Sequence, residues 1–240
     1  MSADSGGTAT PPRARVAEPG DLPAALKTLG ITAGRPVLVL VGGAGGMSAG
    51  QMAALAGVIG TIIPALGDWG AAVVDGGTDS GVMRVIGQAR DRAGASFPLV
   101  GVAAEGTVIV PGERPAPDAA PLDPHHSQVI LVPGDTWGDE SPWLSLVAAA
   151  IAGGRPSLTL VVNGGAITYD DIEHSLRHGR PVLVLAGTGR TADAIAAAAS
   201  GQDENPRAAR TAASPGTRVV PLGDPEALLS SIRSVLVPGY

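Results

Sequence analysis

The feature that most constrains this chain is a recurring junction: an unbroken apolar run, then glycine, then a helix-like pattern. It appears in "RPVLVLVGGAGGM", "GAAVVDGG", "PSLTLVVNGG" and "RPVLVLAGTG". Versions with a single glycine occur in "FPLVGVAA", "SQVILVPGD" and "TRVVPLG". The runs do not alternate apolar with polar residues, so each strand they form must be covered on both faces. Strands of that kind, separated by segments long enough for a helix, predict a parallel sheet sandwiched between helices.

Strand and helix patterns alternate roughly seven times without a repeat of fixed length. The fold expected is α/β: a Rossmann-like, doubly wound, mostly parallel sheet with helices on both faces. Aromatic residues make up only 2% of the 240-residue chain, so its core must be built from Val, Leu, Ile and Ala. Residues 1–20, rich in Ser, Gly, Thr, Pro and Arg, read as a disordered tail. No linker divides the remainder, so residues 21–240 read as one domain. Glu105–Ser127 carries five prolines and reads as a long loop. In "SPWLSLVAAAIAGG" Ser141 is the expected N-cap and Pro142 the first helical residue.

The formal charge is −6 with no basic run, which argues against nucleic acid as a partner. There is no cysteine, which excludes disulfides, thiolate metal sites and thiol nucleophiles. No signal peptide is recognisable, and Gly or Pro interrupts every apolar stretch before the ~18 residues of a membrane span. A cytoplasmic protein without membrane contacts is expected, and a homo-oligomer is left open. Fifteen arginines to one lysine, Lys27, fit a GC-rich bacterial genome.

Four glycine turns follow strands and precede helices: Gly42, Gly43, Gly45 and Gly46; Gly76 to Gly81 with Gly77, Thr78, Asp79 and Ser80 between; Asn163, Gly164, Gly165 and Thr168; and Gly187, Thr188, Gly189 and Arg190. The C-terminal edge of an open parallel sheet is where ligands bind. Glycine lets main chain approach a phosphate, and a helix N-terminus supplies free N–H groups. The turns therefore predict one small-molecule nucleotide or phosphate site, with hydroxyls from Thr78 and Ser80 and a cation from Arg190. There is no P-loop sequence, and "GTGRTA" lies too late in the chain for a dinucleotide fingerprint.

His174 and His178 share a helix face without a third metal ligand, so they read as a solvated helix C-terminus and no metal site is expected. His125 and His126 end the proline-rich loop, either touching ligand or bonding the loop. In "NGGAITYDDIEH" Asp170 and Asp171 fall in a first helical turn, either as capping carboxylates or as an acid/base or ribose-binding group.

The segments "DGGTDSGVMRVIGQA", "LDPHHSQVILVPGDT", "LVVNGGAITYDDIEHSL" and "RPVLVLAGTGRTADAIAAA" together resemble the SLOG superfamily. They are most similar to stand-alone prokaryotic relatives of the N-terminal ligand-sensing (LSDAT) region of melastatin-type transient receptor potential channels. The resemblance spans roughly residues 37–200 and implies a sensor of ADP-ribose or another NAD-derived nucleotide, with no further cofactor required. The superfamily also holds the "lonely guy" phosphoribohydrolases, with Pro-Gly-Gly-x-Gly-Thr-x-x-Glu. Here Gly164, Gly165 and Thr168 match, while Asn163, Ile167 and Asp171 stand for Pro, the third Gly and the catalytic Glu. That resemblance gives the alternative, a nucleotide N-ribohydrolase with Asp171 as its acid. In the channels an Arg near the start of the "SPWLSL" helix would help hold phosphate, where this chain has Trp143 and Leu144.

Overall fold

The computed structural model describes residues 10–43, 45–237 and 239. In chain order its elements are β1 (Arg13–Arg15), α1 (Leu22–Thr28), β2 (Val37–Gly42), α2 (Ala49–Asp68), β3 (Ala72–Asp75), α3 (Gly81–Arg92), β4 (Leu99–Ala104), β5 (Val108–Ile109), β6 (Ala120–Pro121), β7 (Gln128–Val132), α4 (Ser141–Ala152), β8 (Ser157–Val162), α5 (Ala166–Arg177), β9 (Val182–Ala186), α6 (Arg190–Ala199), α7 (Pro206–Ala212), β10 (Thr217–Pro221) and α8 (Pro225–Leu236).

Eight strands form one sheet in the order β1-β7-β4-β3-β2-β8-β9-β10, every pair parallel. β2 shows why its sequence is apolar at each position. Val37, Val39 and Val41 face the core under α1, α4, α5, α6 and α7, whereas Leu38 and Leu40 face the core under α2, α3 and α8. Side chains alternate across a strand, so two covered faces demand apolar residues at both parities. The expected α/β, doubly wound architecture is the one observed.

α2 is the one helix among the described residues long and apolar enough by composition to cross a membrane, which the sequence reading discounted because of its interior Gly and Pro. In the fold its Leu55, Ile59, Ile62, Ile63 and Leu66 are buried against the sheet. Ser48 and Gln51 cap it reciprocally, side chain to main chain, at 3.2 and 2.9 Å.

Three local expectations change. Residues 1–9 of the expected tail lie outside the described residues, but Arg13–Arg15 pairs with β7 and Val16 is buried. Three residues on a sheet edge leave no periodic signal; their order comes from the strand they join. The proline-rich stretch is not simply a loop. β5 pairs with β6, and the chain just after it zips onto the turn following β3 through Asp79 N to Pro121 O (2.8 Å), Asp123 N to Gly77 O (2.9 Å) and a Thr78–Leu122 bridge. Finally, Glu140 and not Ser141 is the N-cap of α4, with Ser141 its first, buried residue.

After β2 the chain winds outward through β3, β4 and β7, then returns to place β8 on the other flank of β2. β2 and β8 therefore bound the topological switch point, where ligands enter such sheets.

Candidate ligand-binding cleft

A cleft of about 610 Å³ opens above the C-terminal ends of β2, β3 and β8, within the range of small-molecule sites. Its walls include Gly42, Gly43, Gly45, Gly76, Thr78, Ser80, Gly81, Gly164, Gly165, Thr168, Asp171 and Arg190. Three of the four turns thus converge on one opening, and the fourth sends in Arg190. Close strand packing explains the first glycine. A Cβ on Gly42 would lie 1.8 Å from the Val162 carbonyl oxygen, and its φ is +124°, so only glycine lets β2 and β8 end side by side.

Among the described residues, Arg190 is the sole cation on the cleft wall. Its guanidinium lies between two turns: ideal Cβ positions on Gly45 and Gly165 stand 2.9 and 3.0 Å from its nitrogens. Any side chain there would displace it. Among the described residues it has no carboxylate within ion-pair distance. Its φ is +49°, one of two non-glycine residues with positive φ among those described. Such a backbone costs of order 1–2 kcal/mol in a non-glycine residue and clusters at functional sites.

The other expected site residues, Gly46, Gly77, Asp79, Asn163, Gly187, Thr188 and Gly189, do not line the opening. Most of them build it. Asn163 is buried at φ +54°, a conformation Asn tolerates better than most residues. Its Nδ2 donates to Thr188 O (2.6 Å) and Gly45 O (3.3 Å), its Oδ1 accepts from Gly164 N (2.8 Å), and its own N–H donates to Thr188 Oγ1 (2.7 Å). One amide thus ties the turns after β2, β8 and β9 together. Gly187 N donates to Asp193 Oδ1 (2.6 Å) and its carbonyl accepts from Gln51 (3.0 Å). Asp79 pairs with Arg84 at 2.6 Å, away from the cleft.

Gly77 faces inward. Its φ is +68°, and a Cβ there would sit 2.8 Å from Gly101 Cα on β4. Beneath it lies a charged cluster absent from the sequence reading. His126, wholly buried, bonds Asp75 Oδ1 through Nε2 and Asp123 Oδ2 through Nδ1, each at 2.7 Å. Asp75 Oδ1 also accepts the Gly77 N–H at 2.8 Å. Burial by itself lowers the imidazole pKa, but the charges and hydrogen bonds of Asp75 and Asp123 outweigh it and raise it to about 9. His126 is therefore an imidazolium between two carboxylates at neutral pH. Of the two readings left open for this histidine, bonding within the fold is the one observed. His125 lies 3.6 Å from Asp91, outside the cleft.

The opposite wall is acidic. Asp171 is buried, lines the cleft, and its Oδ1 has no hydrogen-bond partner. Burial pushes its pKa up to about 7, with Glu140 and Asp170 adding to the rise and the nearby Ser141 hydroxyl opposing it. Ser141 Oγ stays outside hydrogen-bonding geometry and is likewise unpartnered. Asp170, by contrast, points out and pairs with Arg207. Glu140, also raised by burial, lines the same wall and accepts the Gly138 N–H at 3.0 Å. Trp137, Glu140, Met83, Thr107 and Leu144 belong to the cleft but were not anticipated as site residues. Only Leu144 had been placed in a ligand-facing region; Trp143 does not reach the cleft. His174 and His178 sit at the end of α5, and no metal-ligating cluster occurs among the described residues.

Fold and cleft together define a Rossmann-like α/β domain with a ligand-sized opening at its switch point. The family described as "LSDAT_prok: SLOG in TRPM, prokaryote" matches residues 35–230. The chain belongs to that family, and membership points to a nucleotide-related function. Among solved structures, the structural-genomics crystal structure of TM1055 is similar in fold, with a TM-score of 0.52 at 21% identity, covering 83% of this chain and 99% of that one.

Proposed function

We propose that the protein is a cytoplasmic binding domain that senses a nucleotide-derived ligand, ADP-ribose or another NAD-related product, with its phosphate held at Arg190. The observation carrying this reading is Arg190 itself: among the described residues the one cation on the cleft wall, on a left-handed backbone, its guanidinium between the Gly45 and Gly165 turns. Main-chain N–H groups at the starts of α3 and α5 would complete the phosphate site. A guanidinium adds charge-assisted hydrogen bonds of about 1.5–3 kcal/mol. Arg190→Ala should therefore weaken ADP-ribose binding by roughly ten- to a hundredfold in calorimetric titration. Lysine should restore only part, lacking the planar fork. Equal affinities for wild type and Arg190→Ala would remove Arg190 from the site.

Asp171 favours a second reading, a nucleotide N-ribohydrolase. A buried carboxylic acid on the cleft wall, with pKa about 7 and one oxygen without a hydrogen-bond partner, is suited to general acid work. Water would add at the anomeric carbon as the bond to the base breaks; Asp171 would pass its proton to the departing base and recover one from the added water. Incubation with AMP, NAD and ADP-ribose separates the two: released base, with ribose phosphate from AMP, lost in Asp171→Asn, supports hydrolysis, and intact ligand supports sensing.

A further inference from the structure

We infer that Trp137 is the ligand's base platform: its indole stacks on a planar heteroaromatic ring, so that the cleft selects nucleoside phosphates over sugar phosphates. The inference rests on the proposed phosphate site at Arg190 and names what occupies the rest of the cleft.

The chain has six aromatic residues in 240. Among the described ones, Trp137 is the large exposed aromatic, at 44% exposure, and it lies on the cleft wall. The other exposed large hydrophobics, Ile109 and Val219, are not on that wall. An indole left in water in so aromatic-poor a chain forgoes a large burial gain.

Its loop is also built to hold it. Asp139 Oδ2 accepts the N–H groups of Asp135 and Thr136 at 3.0 Å each and the Thr136 hydroxyl at 3.1 Å. Gly134 packs so tightly on Asp139 that a Cβ would fall 2.3 Å from Asp139 Cβ. Gly138 donates to Glu140 and packs over Ile167 of α5. A fixed turn thus holds the indole at the opening. The cleft, about 610 Å³, far exceeds a phosphate, and besides the acidic Glu140 and Asp171 its walls carry apolar Leu40, Val41, Met83, Ala103, Leu144 and Ile167. A ligand that carries both a phosphate and an aromatic ring matches the guanidinium and the indole.

The test is calorimetry and tryptophan emission with AMP and ribose 5-phosphate on wild type, Trp137→Ala and Trp137→Phe. Base–aromatic stacking predicts that Trp137→Ala weakens AMP by about tenfold and ribose 5-phosphate by less than about twofold. Trp137→Phe should keep most of the AMP affinity while losing the AMP-induced emission change, since Trp69 and Trp143 lie off the cleft wall. Equal AMP affinity in wild type and Trp137→Ala overturns the inference, as does an equal loss for both ligands. Ribose 5-phosphate binding that depends on Arg190, with no preference for AMP, overturns stacking but leaves the phosphate site standing. Binding of neither probe overturns both, and would reassign Trp137 to a protein contact.

Discussion

Two strand-end turns of nearly the same sequence flank β2: Asp75-Gly76-Gly77 after β3 and Asn163-Gly164-Gly165 after β8. Both place a small polar residue at the strand end, followed by a glycine pair; Gly76, Gly164 and Gly165 reach the cleft, while Gly77 faces inward. They are held by opposite means. Asp75 is locked by ions, with buried His126 and Asp123 completing the cluster. Asn163 is locked by neutral hydrogen bonds to Thr188, Gly45 and Gly164. On the β3 side the charge is sealed beneath the cleft. On the β8 side the buried charge is Asp171, one helical turn further along, and it opens into the cleft.

Breaking the ionic lock should have the largest effect. His126→Ala leaves Asp75 and Asp123 buried without their cation, and losing one partner of a buried ion pair costs about 3–5 kcal/mol. Urea denaturation at pH 7 measures it; a cost under about 1 kcal/mol would mean that the cluster stabilises nothing. The same histidine sets a pH window. Its folded pKa of about 9 lies above the ordinary 6.5, so its contribution is fully present below about pH 6.5 and is lost as pH rises through about 9. The linked stability is about 3 kcal/mol. Wild type should show that alkaline decline and His126→Ala should not.

The neutral lock should yield less. Asn163→Ala removes the bonds to Thr188 O and Gly45 O and places alanine at positive φ. A loss of about 1–3 kcal/mol is expected, with no change in the alkaline decline. A pH-dependent loss would erase the distinction between the turns.

The smallest effect has the opposite sign. The folded pKa of Asp171, about 7, exceeds the ordinary 3.8. The folded protein keeps a proton that the unfolded chain has lost, so stability falls as pH rises from 3.8 through about 7. Asp171→Asn should remove a cost that the rise from 3.8 to about 7 puts at about 4 kcal/mol; burying the Asn amide offsets part of it, leaving a gain of about 1–2 kcal/mol at pH 8 that is lost as pH falls through about 7. If the variant is less stable at pH 8, Asp171 is satisfied inside the fold and the contrast with Asp75 fails.

Much of this was legible in the chain. Runs such as Val37–Val41 can only be strands covered on two faces, because alternating side chains leave no parity for water. Gly42, Gly76 and Gly164 stand at strand ends where main chain must pass close to something, and that located the edge of the sheet that opens. The family resemblance came from the same turns.

What each turn residue does was decided elsewhere. Thr78 and Ser80 face the cleft while Asp79 between them pairs with Arg84. Asn163 reads as a ligand contact and instead ties three turns together. Asp75 lies fifty-one residues before His126, and it meets His126 and Asp123 only because β3, β4 and the segment before β7 lie side by side. Trp137 gave no periodic signal, and its exposure depends on how the loop after β7 settles over α5. The sequence by itself determined the parallel sheet, its two cores and its ligand edge, because those follow from local periodicity and from glycine's lack of a Cβ. Which side chains face the opening, and which charges are buried beneath it, only the tertiary structure decided, because burial and pairing are properties of neighbours brought together from distant parts of the chain.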